Sequence, residues 1–424
     1  MGGRFLVALF YLISQWLLGL VHHKPVQVAR NSDGEPDGAL THRYIKVEKT
    51  LSGRTTDVTF HYVESPARDR ECIVFLHGYM DSWRLWRHQF AHLAQVAQVA
   101  QVDDRYYVVA FDLKGAGQSS MSYPQRLFPE VNDAGGDYSL EMQADELVTA
   151  LDQMGVKHFN LVTLDLGTII GDILAGKYPD RVLRYMRAQQ PLVGHFRSSI
   201  PQGRILRSRP GARVLTAILE GAPGALLRIL YGRTGWRALD GFRRTKQSMS
   251  DEALQEAEQE AWRAFSNGPR AGKPGTFACA WAGLYQYNRD YMRYLRDNLD
   301  AYSRYTFPVL LVQGTHDIAM PPMRFDGSTG MAFKEVRSVM LSRPFFADGR
   351  GLEDGYVPWA GLIPGCTRPL RAEEFFPSAP YVALEFIDAG HFVPIEAPET
   401  FNALLDEFLR VAPATAKAPS SGLS

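Results

Sequence analysis

The chain has 424 residues, 46% of them hydrophobic and 22% charged, enough for one large core with an insertion or for two to three ordinary domains. Its 46 basic and 46 acidic residues cancel, which excludes a polyanionic partner such as nucleic acid. Mean hydropathy is -0.19, as in a globular protein. Three cysteines, Cys72, Cys279 and Cys366, are too few and too far apart for a disulfide framework or a zinc cluster, so free thiols and no metal are expected.

After Arg4 come 17 uncharged residues, FLVALFYLISQWLLGLV (5 to 21), followed by His22, His23 and Lys24. That length is at the lower edge for a membrane-spanning helix. The run exceeds a usual signal-peptide core and no small-residue cleavage site follows at once. Residues 1–24 are therefore expected to anchor the chain in the endoplasmic reticulum or another intracellular membrane, with the following domain cytosolic; a secreted protein is the alternative. Residues 25–42 read as a polar linker.

Two strand-like runs follow, RYIKVEKT (43 to 50) and DVTFHYVES (57 to 65). ECIVFLHG (71 to 78) is continuously apolar, the pattern of a strand buried on both faces. Helical and strand patterns then alternate through RLWRHQFAHLAQVAQV, RYYVVAFD (105 to 112), LEMQADELVTALDQMG (140 to 155), HFNLVTL (158 to 164) and GTIIGDILAGKY (167 to 178). Such alternation predicts βαβ units and a mostly parallel sheet. The triplet repeat AQVAQVAQV (94 to 102) drifts round a helix and reads as a solvated extension.

From 191 to 306 only helical periods appear, which predicts an inserted helical unit. Strand texture returns at FPVLLVQG (307 to 314). Residues 322–380, rich in Gly, Pro and aromatics, are too long for an ordinary loop. A last strand, YVALEFID (381 to 388), and a helix, APETFNALLDEFLRV (397 to 411), complete the second part of the core, 307–412. The tail 413–424 reads as disordered.

Four chemically capable pieces stand at strand ends: His77 with Gly78, Asp165, Asp317 and His391. Strand carboxyl ends are where an open α/β sheet binds ligands. The chain order nucleophile, acid, histidine is that of an α/β-hydrolase triad. The alternative for Asp165 is a helix N-cap; for Asp317, a turn aspartate before Pro321; for His391, a surface histidine at a helix start. Asp172 and Asp180 read as surface residues, and Lys114 and Gln118 as residues that shape a loop.

LHGYMDSW (76 to 83), FDLKGAGQSS (111 to 120), TLDLGT (163 to 168), QGTHDIAMPP (313 to 322) and DAGHFVPIEAPE (388 to 399) together resemble the α/β-hydrolase superfamily, over residues 43 to 412. Within it, an aspartate in the nucleophile position resembles the branch of epoxide hydrolases and haloalkane dehalogenases. The resemblance implies an α/β-hydrolase fold, a mostly parallel eight-stranded sheet with helices on both faces. It also implies a helical cap over 191–306, splitting the core into 43–190 and 307–412. Asp165 would be the nucleophile, His391 the base that activates water, Asp317 its orienting acid, and the backbone N–H groups of Tyr79 and Leu166 the oxyanion hole.

The residues flanking the nucleophile by two must be small, and here they are Thr163 and Gly167; threonine exceeds the usual glycine, which predicts some distortion of the turn. Leu166 replaces the tryptophan that binds halide in dehalogenases and the arginine of fluoroacetate dehalogenases. Epoxide hydrolases use two cap tyrosines to donate to the departing oxygen. By resemblance Tyr287 is the first choice, in AGLYQYNRDYMRY (282 to 294), with Tyr285 and Tyr291 as rivals and substrate contacts alongside His77. Tyr231 is the second donor by elimination, being the only tyrosine between Tyr185 and Tyr285.

The function implied is opening of an apolar epoxide to a vicinal diol through an ester on Asp165, in lipid or secondary metabolism, with water as co-substrate and no cofactor. The alternatives are a haloalkane dehalogenase-like hydrolase, a cyclase that opens an epoxide without water, and a non-catalytic binding homologue. Met80 after Tyr79, in place of the family's proline, and the separation of 74 positions from Asp317 to His391 depart from the pattern.

Overall fold

The computed structural model describes residues 40–51, 54–79, 81–99, 106–123, 128, 134–189, 209–214, 294, 301–314 and 376–413. Its centre is an eight-stranded sheet. The strands are β1 (Thr41–Leu51), β2 (Arg54–Glu64), β3 (Glu71–Leu76), β4 (Tyr106–Phe111), β5 (Phe159–Leu164), β6 (Val182–Ala188), β7 (Val309–Gly314) and β8 (Val382–Ile387). Their spatial order is β1-β2-β4-β3-β5-β6-β7-β8. β2 runs antiparallel to both β1 and β4, and every other pairing is parallel.

The continuous apolar runs become the central strands, because parallel strands covered on both faces leave no side facing water. All six residues of β5 are buried, as are five of the six in β3. Helix α1 (Arg87–Val99) lies against α5 (Pro398–Arg410), and α2 (Leu140–Gln153) packs on α3 (Leu166–Lys177); α4 (Val393–Glu396) is a single turn before α5. Phe75 of β3 meets Trp86, with ring centroids 4.9 Å apart, and Trp86 in turn meets Phe401 of α5 at 6.1 Å. Strand and helix layers thus lock through aromatic contacts on the β3 side of the sheet.

Some boundaries move from their expected places for physical reasons. β1 starts at Thr41, inside the expected linker, because it pairs with β2 in unbroken register from Thr41 opposite Glu64 to Leu51 opposite Arg54. The first expected helix begins as a 3₁₀ turn, Trp83–Trp86, whose N-cap Ser82 accepts from the Arg84 amide. Asp172 is a correction: it is 1% exposed, since α3 is buried all round. Asp180 is exposed as expected.

The 5 to 21 apolar run, the tail from 414 and most of the expected linker lie outside the described residues. So do most of the cap and of 322–380. Of the expected cap, residues 209–214 and Tyr294 are helical and Ala301–Arg304 form a 3₁₀ turn. Among the described residues no helix is long and apolar enough to cross a membrane. Cys72 is a free, buried thiol whose burial pushes its pKa up.

Candidate active site

The chain leaves β3 toward β4 on one side and returns to β5 on the other, so the crevice between the carboxyl ends of β3 and β5 is the topological switch point of the sheet. His77, Gly78 and Tyr79 follow β3 there, and Asp165 follows β5.

Asp165 joins strand to helix in a backbone conformation, φ 53° and ψ −115°, that a residue with a side chain rarely adopts. Its amide still donates to the Ala188 carbonyl, and its own carbonyl accepts from Thr168 and Ile169, so backbone pairing on both sides holds the turn. The carboxylate makes no capping bond to the helix that follows. The N-cap alternative therefore fails for the side chain.

Close packing explains the small neighbours. A β-carbon on Gly167 would fall 2.4 Å from the Leu76 carbonyl oxygen and 2.5 Å from that of His77, so no other residue lets the helix start come this near β3. Thr163 is accommodated without crowding. Its hydroxyl donates to the Tyr185 hydroxyl at 3.2 Å and lies 2.9 Å from the Thr168 hydroxyl, and its methyl has room because residue 171 is glycine.

The two Asp165 oxygens have different partners. Oδ1 accepts the Tyr79 backbone N–H at 2.7 Å. Oδ2 lies 3.6 Å from His391 Nε2. Leu166, first residue of α3, has an N–H with no helical carbonyl to reach, the ordinary condition of a helix start. Its side chain is 6% exposed and wholly apolar. The carboxylate thus has a backbone donor on one oxygen and an imidazole facing the other.

His391 sits in the turn between β8 and α4. Glu396, itself buried, holds that turn by accepting the Gly390 amide at 2.5 Å and the Phe392 amide at 2.8 Å, one on each side of the histidine. The Phe392 ring stands edge-on to the imidazole at 4.9 Å. Just after β6, Gln189 donates from Nε2 to the Gly390 carbonyl at 2.6 Å. Neither Glu396 nor Gln189 was foreseen from the sequence.

His77 does not fit the expected role of substrate contact. It is 1% exposed, its Nε2 accepts the Leu113 amide at 2.9 Å, and Nδ1 is 2.7 Å from the Gly78 carbonyl. With Nε2 an acceptor, Nδ1 carries the proton, so both nitrogens serve the two loops that frame the crevice. Burial pushes its pKa down, and the ring stays neutral.

A second buried network orders the loop after β4. Asp112 receives the Trp83 and Gln118 amides, each at 2.8 Å, and pairs with His61 at 2.7 Å. Burial opposes its charge, yet the bond from His61, the nearby imidazoles and the amides hold the carboxyl below its usual value. Lys114 shapes the same loop, as expected, from a buried pairing with Glu146 at 2.9 Å.

Asp317, Tyr231, Tyr285, Tyr287 and Tyr291 lie outside the described residues. Tyr79, Asp165, Leu166 and His391 are brought to one crevice. Among the described residues no cluster of histidine, cysteine and carboxylate side chains could hold a metal ion.

A family model described as alpha/beta hydrolase fold matches residues 71–197, the segment that contains the elbow. Epoxide hydrolase 4 of Mus musculus is 26% identical over 144 residues, 34% of this chain and 33% of that protein. Bifunctional epoxide hydrolase 2 of Sus scrofa is 31% identical over 144 residues, 34% of this chain and 21% of that protein. The match thus spans a third or less of each relative's length. The crystal structure of the Cif epoxide hydrolase from Acinetobacter nosocomialis superimposes with a TM-score of 0.54 at 17% identity, covering 96% of both chains, a likeness of fold alone. The sheet order, the strained turn after β5 and this matched segment agree: the chain has the α/β-hydrolase fold and, over the matched segment, resembles the epoxide hydrolases.

Proposed function

We propose that the chain hydrolyses apolar epoxides to vicinal diols through a covalent ester on Asp165. The observation that carries this reading is the division of the Asp165 carboxylate, one oxygen on the Tyr79 amide and the other facing His391. A serine in this position would serve acyl transfer. A carboxylate serves attack on an sp³ carbon that bears a leaving group.

In the first step Oδ2 forms a bond to one epoxide carbon and the C–O bond of the ring breaks. The departing oxygen takes a proton from a cap tyrosine, Tyr287 with Tyr231 as second donor by resemblance. In the second step His391 Nε2 takes a proton from water, and the hydroxide adds to Cγ of Asp165. Charge collects on Oδ1, where the Tyr79 and Leu166 N–H groups stabilise it. The Cγ–Oδ2 bond then breaks, and the product alkoxide takes the proton from His391. The proton left on the new carboxyl returns to the phenolate, so one water is consumed and both catalytic groups are restored. Asp317 would hold the imidazole in the tautomer this requires.

Leu166 favours an epoxide over a haloalkane, because its side chain offers no N–H to a halide. The names of the curated relatives point the same way. The test is His391→Gln, which removes the base of the second step and leaves the nucleophile. Incubated with styrene oxide, dodecene oxide and a set of haloalkanes, the variant should gain the mass of the epoxide on the peptide that carries Asp165. A mass gain from haloalkanes alone, or from no probe, would sink the reading.

A further inference from the structure

Gln189, the residue directly after β6, is 1% exposed and has φ 52°, a left-handed conformation that costs a glutamine energy and needs a surrounding structure to hold it. Its backbone amide donates to Val312 at 3.0 Å. Its side-chain Oε1 accepts the Gly314 amide at 3.1 Å, and its Nε2 donates to the Gly390 carbonyl at 2.6 Å. A single carboxamide thus joins the end of β7, three residues before Asp317, to the residue before His391. The same two segments touch directly: a β-carbon on Gly314 would lie 2.1 Å from the Gly390 carbonyl oxygen and 2.6 Å from the Ala389 carbonyl oxygen.

We infer that Gln189 is a positioning residue for His391, setting the distance from the imidazole to Asp165 through the Gly390 carbonyl. The geometry requires a donor and an acceptor at the end of one side chain, and the glutamine carboxamide supplies both. Glutamate has the same shape and can still accept from Gly314, but it has no N–H for Gly390 and places an oxygen against that carbonyl. The strained φ concentrates the role in residue 189, since the backbone turns there and brings the side chain back across the ends of β7 and the histidine loop.

This inference rests on the proposed two-step reaction, and the steps separate its failure from that reading's failure. Formation of the ester needs Asp165 and not His391, whereas its hydrolysis needs His391. Rapid-quench mass spectrometry with styrene oxide should therefore show Gln189→Glu forming the ester within about twofold of the parent rate while hydrolysing it roughly tenfold to a hundredfold more slowly, the loss typical of a base displaced by about 1 Å. Gln189→Met, of similar size but with neither the donor nor the acceptor, should show the same imbalance and serves if the glutamate variant folds poorly. Equal loss in both steps, or no change in either, overturns the role of Gln189. Absence of any ester on His391→Gln overturns the underlying reaction as well.

Discussion

The Arg187 guanidinium forks onto Asp172, with Nε 2.8 Å from Oδ1 and Nη2 2.7 Å from Oδ2, and neither side chain is more than 2% exposed. The hydroxyls of Tyr185 and Tyr302 also donate to this carboxylate, each at 3.1 Å. The pair fixes α3 against β6 behind the nucleophile turn. Removing Asp172 takes the facing carboxylate away from a guanidinium that is itself buried. Asp172→Ala should lower the unfolding free energy by roughly 3–5 kcal/mol, measured by urea denaturation, whereas Asp180→Ala on the exposed turn should change it by less than about 0.5 kcal/mol.

Gly167→Ala, a small change at the nucleophile turn, should be damaging. The added methyl meets the backbone carbonyls of Leu76, which ends β3, and His77, which cannot step aside without moving Tyr79, the proposed oxyanion donor. A destabilisation of about 1–3 kcal/mol is expected, with loss of ester formation on styrene oxide even in molecules that remain folded. Normal ester formation in a folded Gly167→Ala protein would refute the close approach.

Glu396→Ala should free two buried amides flanking His391, at a cost of about 1–3 kcal/mol for each donor that finds no water. Ester hydrolysis should slow more than ester formation. Glu396→Gln keeps one acceptor oxygen, so its thermal midpoint should fall between those of the parent and the alanine variant.

His77 gives a pH dependence with a definite sign. Burial lowers its folded pKa below the ordinary 6.5, so the unfolded chain binds a proton that the folded chain refuses. Its stabilising effect is complete above the ordinary value and is lost as pH falls from about 6.5 toward the lowered one, by up to about 1.4 kcal/mol per pH unit. Urea midpoints at neutral and mildly acid pH should show this decline, and His77→Gln should flatten it. The Asp112 carboxyl, also lowered, contributes stability that is lost only at more acid pH, as pH falls below its usual value of 3.8.

Much of the fold was legible because long apolar runs such as ECIVFLHG and HFNLVTL can only be interior strands. Asp165 and His391 could be placed at strand ends from the apolar runs that precede them, whereas Tyr79 and Leu166 entered only through the resemblance of the motifs around them to a known family. Asp172 was misread because a charge seven residues past the elbow looks like a surface residue until the helix is known to be covered on every face. Gln189 and Glu396 left no signal. They act through backbone groups of a distant loop, and nothing in their local sequence encodes which loop will lie beside them. His77 stood in the right place for substrate, yet its two nitrogens were already spent on Leu113 and Gly78.

The unequal surroundings of the two Asp165 oxygens also give the carboxylate a fixed handedness in time. In the proposed reaction the oxygen that leaves with each diol is Oδ2, and the oxygen that replaces it comes from water. With Oδ1 pinned on the Tyr79 amide, the carboxylate has no reason to flip between cycles. In heavy-oxygen water, the first diol released should carry ordinary oxygen from the enzyme, and every later one should carry solvent oxygen. One atom would stay behind, untouched through all turnovers, as a tracer of how firmly that amide holds.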